Sequence, residues 1–204
     1  MIQRFIAAVF FIILVAVFIG CSGDKPRSKL PSDAVILAFG DSLTDGKGVE
    51  RKYSYPSVLA ELTGLRVINA GVSGEVTKDG LQRLPGVLRS TSPHLLVLLE
   101  GGNDILRNQQ ASDIKKNIAQ MIELAQTSGI EVILLGVPKK SLFSSSAPLY
   151  RELAQEYDVI FDEKLIATLL RSRQYKSDAI HFNKAGYRVM AENIEQLMSD
   201  HGLL

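Results

Sequence analysis

This sequence of 204 residues contains one cysteine, three histidines and almost no net charge. A single cysteine excludes an intramolecular disulfide framework, and the histidines form no cluster at zinc-ligand spacing. A formal net charge of +1 provides no field that would favour a polyanion. The sequence therefore predicts no structural metal, no metal or organic cofactor and no nucleic-acid partner. Its 46% hydrophobic content suits one domain with a sizeable core.

An apolar run without a charged residue occupies Phe5 to Ile19, behind the basic residue Arg4. The run leads to Cys21, and this arrangement resembles a bacterial lipoprotein signal peptide. The resemblance implies that Cys21 is lipidated and becomes the first residue of the mature protein. An uncleaved anchor helix stays open, because the run approaches the roughly 17 to 25 residues that span a bilayer. Either reading predicts a membrane-anchored protein of the cell envelope that faces the periplasm or the exterior.

The sequence predicts three parts along the chain. Residues 1–20 form the signal peptide, and residues 21–33 form a polar linker in which glycine and proline discourage regular structure. Residues 34–204 form the folded domain.

Five short apolar runs lie within this domain. They do not alternate with polar residues, which predicts strands buried on both faces of a sheet. The runs are Val35–Phe39, Leu65–Ile68, Leu95–Leu99, Ile130–Leu135 and Val159–Phe161. Helical patterns lie between and after them, at Pro56–Leu62, Thr77–Arg89, Ser112–Gln126, Pro148–Tyr157 and Lys184–Met198. This order predicts a three-layer α/β/α fold with a doubly wound, five-stranded parallel sheet.

Small polar clusters follow the first three predicted strands, at Gly40–Ser42, Asn69–Glu75 and Glu100–Asp104. Because the carboxyl ends of parallel strands share one edge of a sheet, we expect these clusters to meet there. Acyl transfer needs hydrogen-bond donors directed at the oxygen that becomes negative. The backbone N–H groups of Ser42 and Gly74 and the side-chain amide of Asn103 are candidates for these donors.

Further along the chain, Asp178 precedes His181 by three residues. This spacing allows the carboxylate to hold imidazole Nδ1 while Nε2 faces a hydroxyl group. Ser42, His181 and Asp178 therefore match the nucleophile, base and orienting group of a catalytic triad.

Four motifs in this order resemble the SGNH or GDSL hydrolase family: Gly-Asp-Ser-Leu at Ser42, Gly74, Gly-Gly-Asn-Asp at Asn103, and Asp-x-x-His at His181. The resemblance implies a flavodoxin-like fold, a Ser42–His181–Asp178 triad, and an oxyanion hole formed by Ser42, Gly74 and Asn103. Within the family, the sequence is most similar to bacterial arylesterases and the thioesterase I/lysophospholipase group. It departs from the pattern at Phe182, where proline often follows the histidine.

Each of these residues also has an ordinary structural interpretation. Ser42 is suited to a helix N-cap, Gly74 to a tight turn and Asn103 to a cap or turn. Other motifs are incomplete: the segment from Gly40 to Gly48 does not have P-loop spacing, and Glu75 replaces the last glycine of a G-x-S-x-G elbow. The four blocks together favour catalysis.

The sequence thus predicts a serine esterase that hydrolyses small-molecule carboxylic esters or thioesters through an acyl-enzyme. A carbohydrate O-acetylesterase of the cell envelope is the alternative enzyme, and a non-catalytic, membrane-attached binding lipoprotein is the alternative of another class. Leu142, Phe143 and Leu149 are candidates both for an acyl groove and for the core.

Overall fold

The computed structural model describes residues 27–139 and 145–204. In this part of the chain, five strands alternate with eight α-helices and two short 3₁₀ turns. The strands are β1 (Val35–Gly40), β2 (Arg66–Gly71), β3 (Leu95–Leu99), β4 (Glu131–Leu135) and β5 (Ile160–Asp162). The helices are α1 (Ser42–Asp45), α2 (Tyr55–Thr63), α3 (Thr77–Thr91), α4 (Gly102–Leu106), α5 (Ala111–Thr127), α6 (Pro148–Tyr157), α7 (Leu165–Arg171) and α8 (Lys184–Asp200).

The strands form one parallel sheet in the order β2-β1-β3-β4-β5. Helix α2 packs on α8 and α8 on α7, whereas α3 packs on α5 and α5 on α6, which gives one helical layer on each face. The predicted doubly wound α/β/α fold is confirmed. The chain reverses its direction of winding between β1 and β3, where open α/β sheets bind their ligands.

The strands differ in burial according to their place in the sheet. All five residues of the central strand β3 are buried, as are all but the first of β1. Strand β2 lies at an edge, and none of its residues is fully buried. The expectation of burial on both faces is therefore correct for the centre of the sheet and wrong for β2.

Three helices were not predicted from the apolar pattern. Helices α1 and α4 contain only four and five residues, too few to show a helical period. Helix α7 is almost entirely apolar at Leu165–Leu170, so its sequence shows no contrast between faces. These three helices border the candidate site described below.

The predicted linker is only partly described. From Arg27 onward it packs on the domain: Arg27 Nε donates to Glu131 Oε1 at 2.9 Å, and Leu30 N donates to Leu203 O at 2.9 Å. The predicted signal peptide and Cys21 lie outside the described residues. Between residues 27 and 204, apart from 140–144, no helix has the length and apolar character needed to cross a bilayer.

Candidate active site

Ser42 lies at the carboxyl end of β1, in the first turn of α1. Asp41 is the N-cap of this helix, because its Oδ1 accepts a hydrogen bond from Leu43 N at 3.0 Å. The capping role that the sequence left open for Ser42 is thus filled by Asp41. As a result, the Ser42 side chain is free to face the groups beyond the sheet edge.

Ser42, His181 and Asp178 form a continuous chain of side-chain contacts. Ser42 Oγ lies 3.0 Å from His181 Nε2, and His181 Nδ1 lies 2.7 Å from Asp178 Oδ2. The other carboxylate oxygen, Asp178 Oδ1, accepts the backbone N–H groups of Ile180 and His181, both at 2.9 Å. These hydrogen bonds lower the pKa of Asp178 to about 2, and the bond with the His181 side chain makes the largest contribution. The carboxylate is therefore ionised at neutral pH and its orientation is fixed by three donors.

The loop that carries His181 is closed by local pairing. Ser177 N donates to His181 O at 3.0 Å, and Lys176 and Phe182 form an antiparallel bridge. Phe182 is fully buried and packs edge to face on Tyr187, with ring centroids 5.6 Å apart. A large buried ring next to His181 therefore anchors the loop at the position where the family often has proline.

Of the three predicted oxyanion donors, Asn103 borders the same cavity as Ser42, and its side chain is hydrogen-bonded to the backbone carbonyl of Glu75, the residue after Gly74. In the part of the chain that the structure describes, the backbone N–H groups of Ser42 and Gly74 donate no hydrogen bond. Asn103 Nδ2 donates to Glu75 O at 2.9 Å and makes a longer contact of 3.3 Å with Asp41 Oδ2. The first bond fixes the plane of the amide and leaves its second hydrogen weakly held. Gly74 has φ +84°, a backbone conformation that residues with side chains rarely adopt, which agrees with the tight-turn role that the sequence left open for it.

Buried acidic side chains lie directly behind these donors. Asp41 is 5% exposed, and its burial raises its pKa to about 6. Asp104 accepts the N–H and the hydroxyl of Thr77, at 2.9 and 2.7 Å, and so caps helix α3 from a neighbouring element. Gly101 is the N-cap of α4, so the capping role that the sequence left open for Asn103 is filled by another residue.

A cavity of about 140 Å³ opens beside Ser42. Its wall is mainly apolar and comes from α4, α7 and the loops after β4 and before His181. Its apolar side chains are Ile105, Leu106, Val137, Ile166, Leu170 and Ile180. Leu149 is a buried core residue of α6 and does not line this cavity, whereas Leu142 and Phe143 lie outside the described residues. Ile166 and Leu170 belong to an apolar run that is visible in the sequence, but this run forms α7, a helix that the apolar pattern did not predict.

The other two histidines lie away from this site. His94 Nδ1 accepts Val35 N at the start of β1, at 3.2 Å, and His201 follows the last residue of α8. Within the described ranges, no three or more His, Cys, Asp or Glu side chains are placed to hold a metal ion.

Comparison with known proteins assigns the chain to a family. Residues 38–189, well over half of the chain, match the model of the GDSL-like lipase/acylhydrolase family. The chain belongs to this family. It is therefore an ester-hydrolysing enzyme of the GDSL type, and the resemblance inferred from its four motifs is confirmed.

Individual GDSL relatives show the same relationship. The chain is 34% identical over 123 residues to esterase TesA of Pseudomonas aeruginosa, a match that covers 58% of this chain and 61% of TesA. It is 26% identical over 168 residues to thioesterase 1/protease 1/lysophospholipase L1 of Escherichia coli K12, covering 77% and 79%. A crystal structure of TesA superposes with a TM-score of 0.73 at 24% identity, covering 82% of this chain and 99% of that one. These relatives share the fold and are named for ester or thioester hydrolysis.

A more distant GDSL relative bears on cellular location. The chain is 26% identical over 142 residues to the uncharacterized lipoprotein YqeF of Bacillus subtilis, covering 62% of this chain and 55% of that protein. The name lipoprotein belongs to that relative.

Proposed function

We propose that this GDSL hydrolase is a serine esterase that uses Ser42 as nucleophile, His181 as general base and acid, and Asp178 as the orienting carboxylate. The observation that carries the proposal is the unbroken contact chain from Ser42 Oγ through His181 to Asp178, with distances of 3.0 and 2.7 Å. Both distances are within hydrogen-bond reach, which general-base catalysis requires.

The contacts fit one protonation pattern. If His181 Nδ1 carries the proton and donates it to Asp178 Oδ2, then Nε2 presents its lone pair to Ser42. His181 Nε2 accepts the hydroxyl proton as Ser42 Oγ attacks the acyl carbonyl, and the imidazolium then protonates the departing alcohol or thiol. Water repeats these steps on the acyl-enzyme, which releases the acid and restores the serine.

The oxyanion that forms in each step is stabilised by three donors in this proposal. The N–H groups of Ser42 and Gly74 are available for this role, because they donate no hydrogen bond within the described chain. Asn103 supplies its second amide hydrogen, whose contact with Asp41 Oδ2 is 3.3 Å long. Such preorganised donors contribute most of the rate enhancement in acyl transfer.

The cavity beside Ser42 supports an acyl group longer than acetyl. An apolar cavity of roughly 150 Å³ in another protein binds benzene, so one of about 140 Å³ suits about six carbon atoms. We therefore propose carboxylic esters and thioesters of short to medium acyl chains as substrates. An acetylated sugar would leave the apolar wall of Ile166 and Leu170 unused, which makes the O-acetylesterase alternative the weaker one.

The cellular location is part of the proposal. Lipidation of Cys21 would hold the enzyme on a membrane, since acyl chains contribute about 0.8 kcal/mol per buried methylene. The N-terminal sequence supports this anchor, and a lipoprotein relative is consistent with it.

Covalent labelling tests the nucleophile. A fluorophosphonate probe is expected to label the wild-type protein and the Ser73→Ala variant and to leave Ser42→Ala unlabelled. Ser73 is the matched control because its hydroxyl donates to Asp45 Oδ2 at 2.7 Å, outside the contact chain of Ser42. Labelling of Ser42→Ala at the wild-type rate would refute the assignment of the nucleophile, whereas wild-type protein that stays unlabelled would favour the binding-lipoprotein alternative.

A series of p-nitrophenyl esters from acetyl to palmitoyl, with acyl-CoA thioesters alongside, tests the acyl group. The highest kcat/KM is expected at about four to eight carbons, because longer chains exceed the cavity. A sharp maximum at acetyl would overturn the chain-length proposal and favour the sugar ester.

A further inference from the structure

Glu100 is a fully buried carboxyl group to which the proposed mechanism assigns no role. It directly follows β3, is 0% exposed, and its Oε2 accepts Gly101 N at 3.3 Å. In the described part of the chain, no donor reaches Glu100 Oε1. A buried polar atom without a partner costs roughly 1 to 3 kcal/mol, so its surroundings call for an explanation.

The carboxyl of Glu75 lies next to that of Glu100, because Glu75 Oε2 and Glu100 Oε1 border the same small space beside Gly80. Glu75 is held by Arg83, whose Nε donates to Glu75 Oε1 at 2.8 Å and whose Nη2 donates to Glu75 Oε2 at 2.5 Å. This bidentate pair requires Glu75 to be ionised. Two neighbouring carboxyl groups can share a hydrogen bond only if one of them carries a proton, and the Arg83 pair leaves Glu100 as the group to carry it.

The local electrostatics agree with this assignment. Burial, followed by the charge of Asp41 and the hydrogen bond with Glu75, raises the pKa of Glu100 well above its ordinary value. The charged and titratable groups that face this region are Asp41 after β1, Glu75 and Arg83 on the α3 side, Asp104 in α4, and Tyr150 in α6. Arg83 is the cation among them, and both of its contacts to carboxylate oxygens go to Glu75.

Helix α3 leaves space for the two carboxyl groups by having glycine at position 80. A Cβ there would lie 3.2 Å from Glu100 Oε1 and 3.4 Å from Glu75 Oε2, closer than most real contacts. Glycine inside a helix costs about 0.5 to 1 kcal/mol relative to alanine. Gly80 thus makes room for the acid pair and also for the methyl group of Met121, which would lie 3.2 Å from the same Cβ.

The segment held by this pair supplies the oxyanion donors. Gly74 directly precedes Glu75 in the chain. The backbone carbonyl of Glu75 accepts a hydrogen bond from Asn103 Nδ2 at 2.9 Å. We propose that Glu100 is a positioning residue whose protonated carboxyl donates a hydrogen bond to Glu75 and thereby fixes Gly74 and Asn103 for the proposed esterase reaction. Glu100 touches no reacting atom, and it acts through Glu75. The inference on its role rests on the proposed function, whereas the inference on its proton does not.

Infrared spectroscopy tests the proton without any substrate. At pH 8, where Asp41 with a pKa of about 6 is ionised, the difference spectrum between wild type and Glu100→Gln is expected to show a protonated-carboxyl C=O band that the variant lacks. Asp41→Asn is the control and should retain the band. Absence of the band in wild-type protein would overturn the proposal, even if the enzyme proves to be an active esterase.

Kinetics tests the positioning. Glu100→Gln keeps a donor toward Glu75 and is expected to retain kcat within about threefold, whereas Glu100→Met has similar length but no donor and should lose kcat roughly tenfold or more at unchanged KM. Equal kcat in the two variants, or a loss confined to KM, would refute the positioning role. If Glu100→Met does not fold, kcat of wild type and of Glu100→Gln is compared from pH 6 to pH 9, together with the infrared band. A kcat of Glu100→Gln that falls more than about threefold below wild type throughout this range would then refute the positioning role. If wild-type protein hydrolyses no ester, the proposed function fails separately.

Discussion

The two sides of Ser42 are built differently. On the His181 side, the triad partners come from one short loop, and the Asp178 side chain is 53% exposed. On the Asn103 side, the donors are backed by side chains that are at most 7% exposed, namely Asp41, Glu75, Glu100 and Asp104. One side is therefore a surface loop with local hydrogen bonds, and the other is the end of a buried polar network.

This difference matches what each side is proposed to do. The proposed base must exchange protons with leaving groups and water, and the His181 side chain, 14% exposed, reaches the surface, whereas the donors must be in place before charge develops. A local loop can lose a side chain without disturbing the core, but a buried network cannot. Substitutions on the His181 side should therefore reduce activity alone, and those on the Asn103 side should reduce activity, stability or both.

The largest expected effect is that of His181→Ala. Removing the proposed base should lower kcat on the order of 10⁶-fold, the loss expected when the histidine of a serine-hydrolase triad is removed, and change the free energy of unfolding by less than about 0.5 kcal/mol. Steady-state ester hydrolysis and chemical denaturation measure the two quantities. His201→Ala is the control and should match wild type in both, because His201 lies at the end of α8. A large stability loss in His181→Ala would remove the contrast between the two sides.

Arg83→Met tests the buried side through stability. The substitution leaves Glu75 without its bidentate partner in a buried position, which should cost about 3 to 5 kcal/mol. Urea unfolding measures the loss. Arg89→Met, on the exposed face of the same helix, is the matched control and should cost less than about 0.5 kcal/mol. Equal effects of the two substitutions would show that the network contributes nothing to folding.

Asn103→Ala separates the donor from the network behind it. Loss of one oxyanion donor should lower kcat about 100- to 1,000-fold at nearly unchanged KM. Stability should fall by only about 1 kcal/mol, because one hydrogen bond, to Glu75 O, is lost. Asn193→Ala removes a similar bond on α8 and serves as the control. Unchanged kcat in Asn103→Ala would exclude its amide from the oxyanion hole.

The same contrast explains how much the sequence could predict. The strands and the Asp178–His181 pair follow from local patterns: short apolar runs, and two residues three apart. Ser42 and Asn103 follow once a parallel sheet is assumed, because strand ends must meet. By contrast, Glu100 and Arg83 look like ordinary charged residues in sequence. Each lies next to Glu75 only because the fold buries the end of β3 against the start of α3. Similarly, the cavity wall from α7 was missed because an all-apolar helix has no period to detect.

Asp41→Asn is expected to have the smallest effect, and this effect depends on pH. Asp41 has a pKa raised from 3.8 to about 6 by burial, so the folded state holds its proton more tightly than the unfolded state. Below pH 3.8 the group is protonated in both states and carries no penalty, whereas above pH 6 it is ionised in both and the full penalty applies. Wild-type stability should therefore fall between pH 4 and pH 7 by an amount, on the order of 2 kcal/mol, that the variant does not show. The measurement is the difference in unfolding free energy between variant and wild type at the two pH values, in which the contributions of carboxyl groups distant from Asp41 cancel. As the pH rises from 4 to 7, Asp41→Asn should become more stable relative to wild type, whatever the difference at pH 4. A difference that stays constant would mean that Asp41 is effectively solvated. Asp41, the residue next to Ser42, would then not belong to the buried polar network on the Asn103 side.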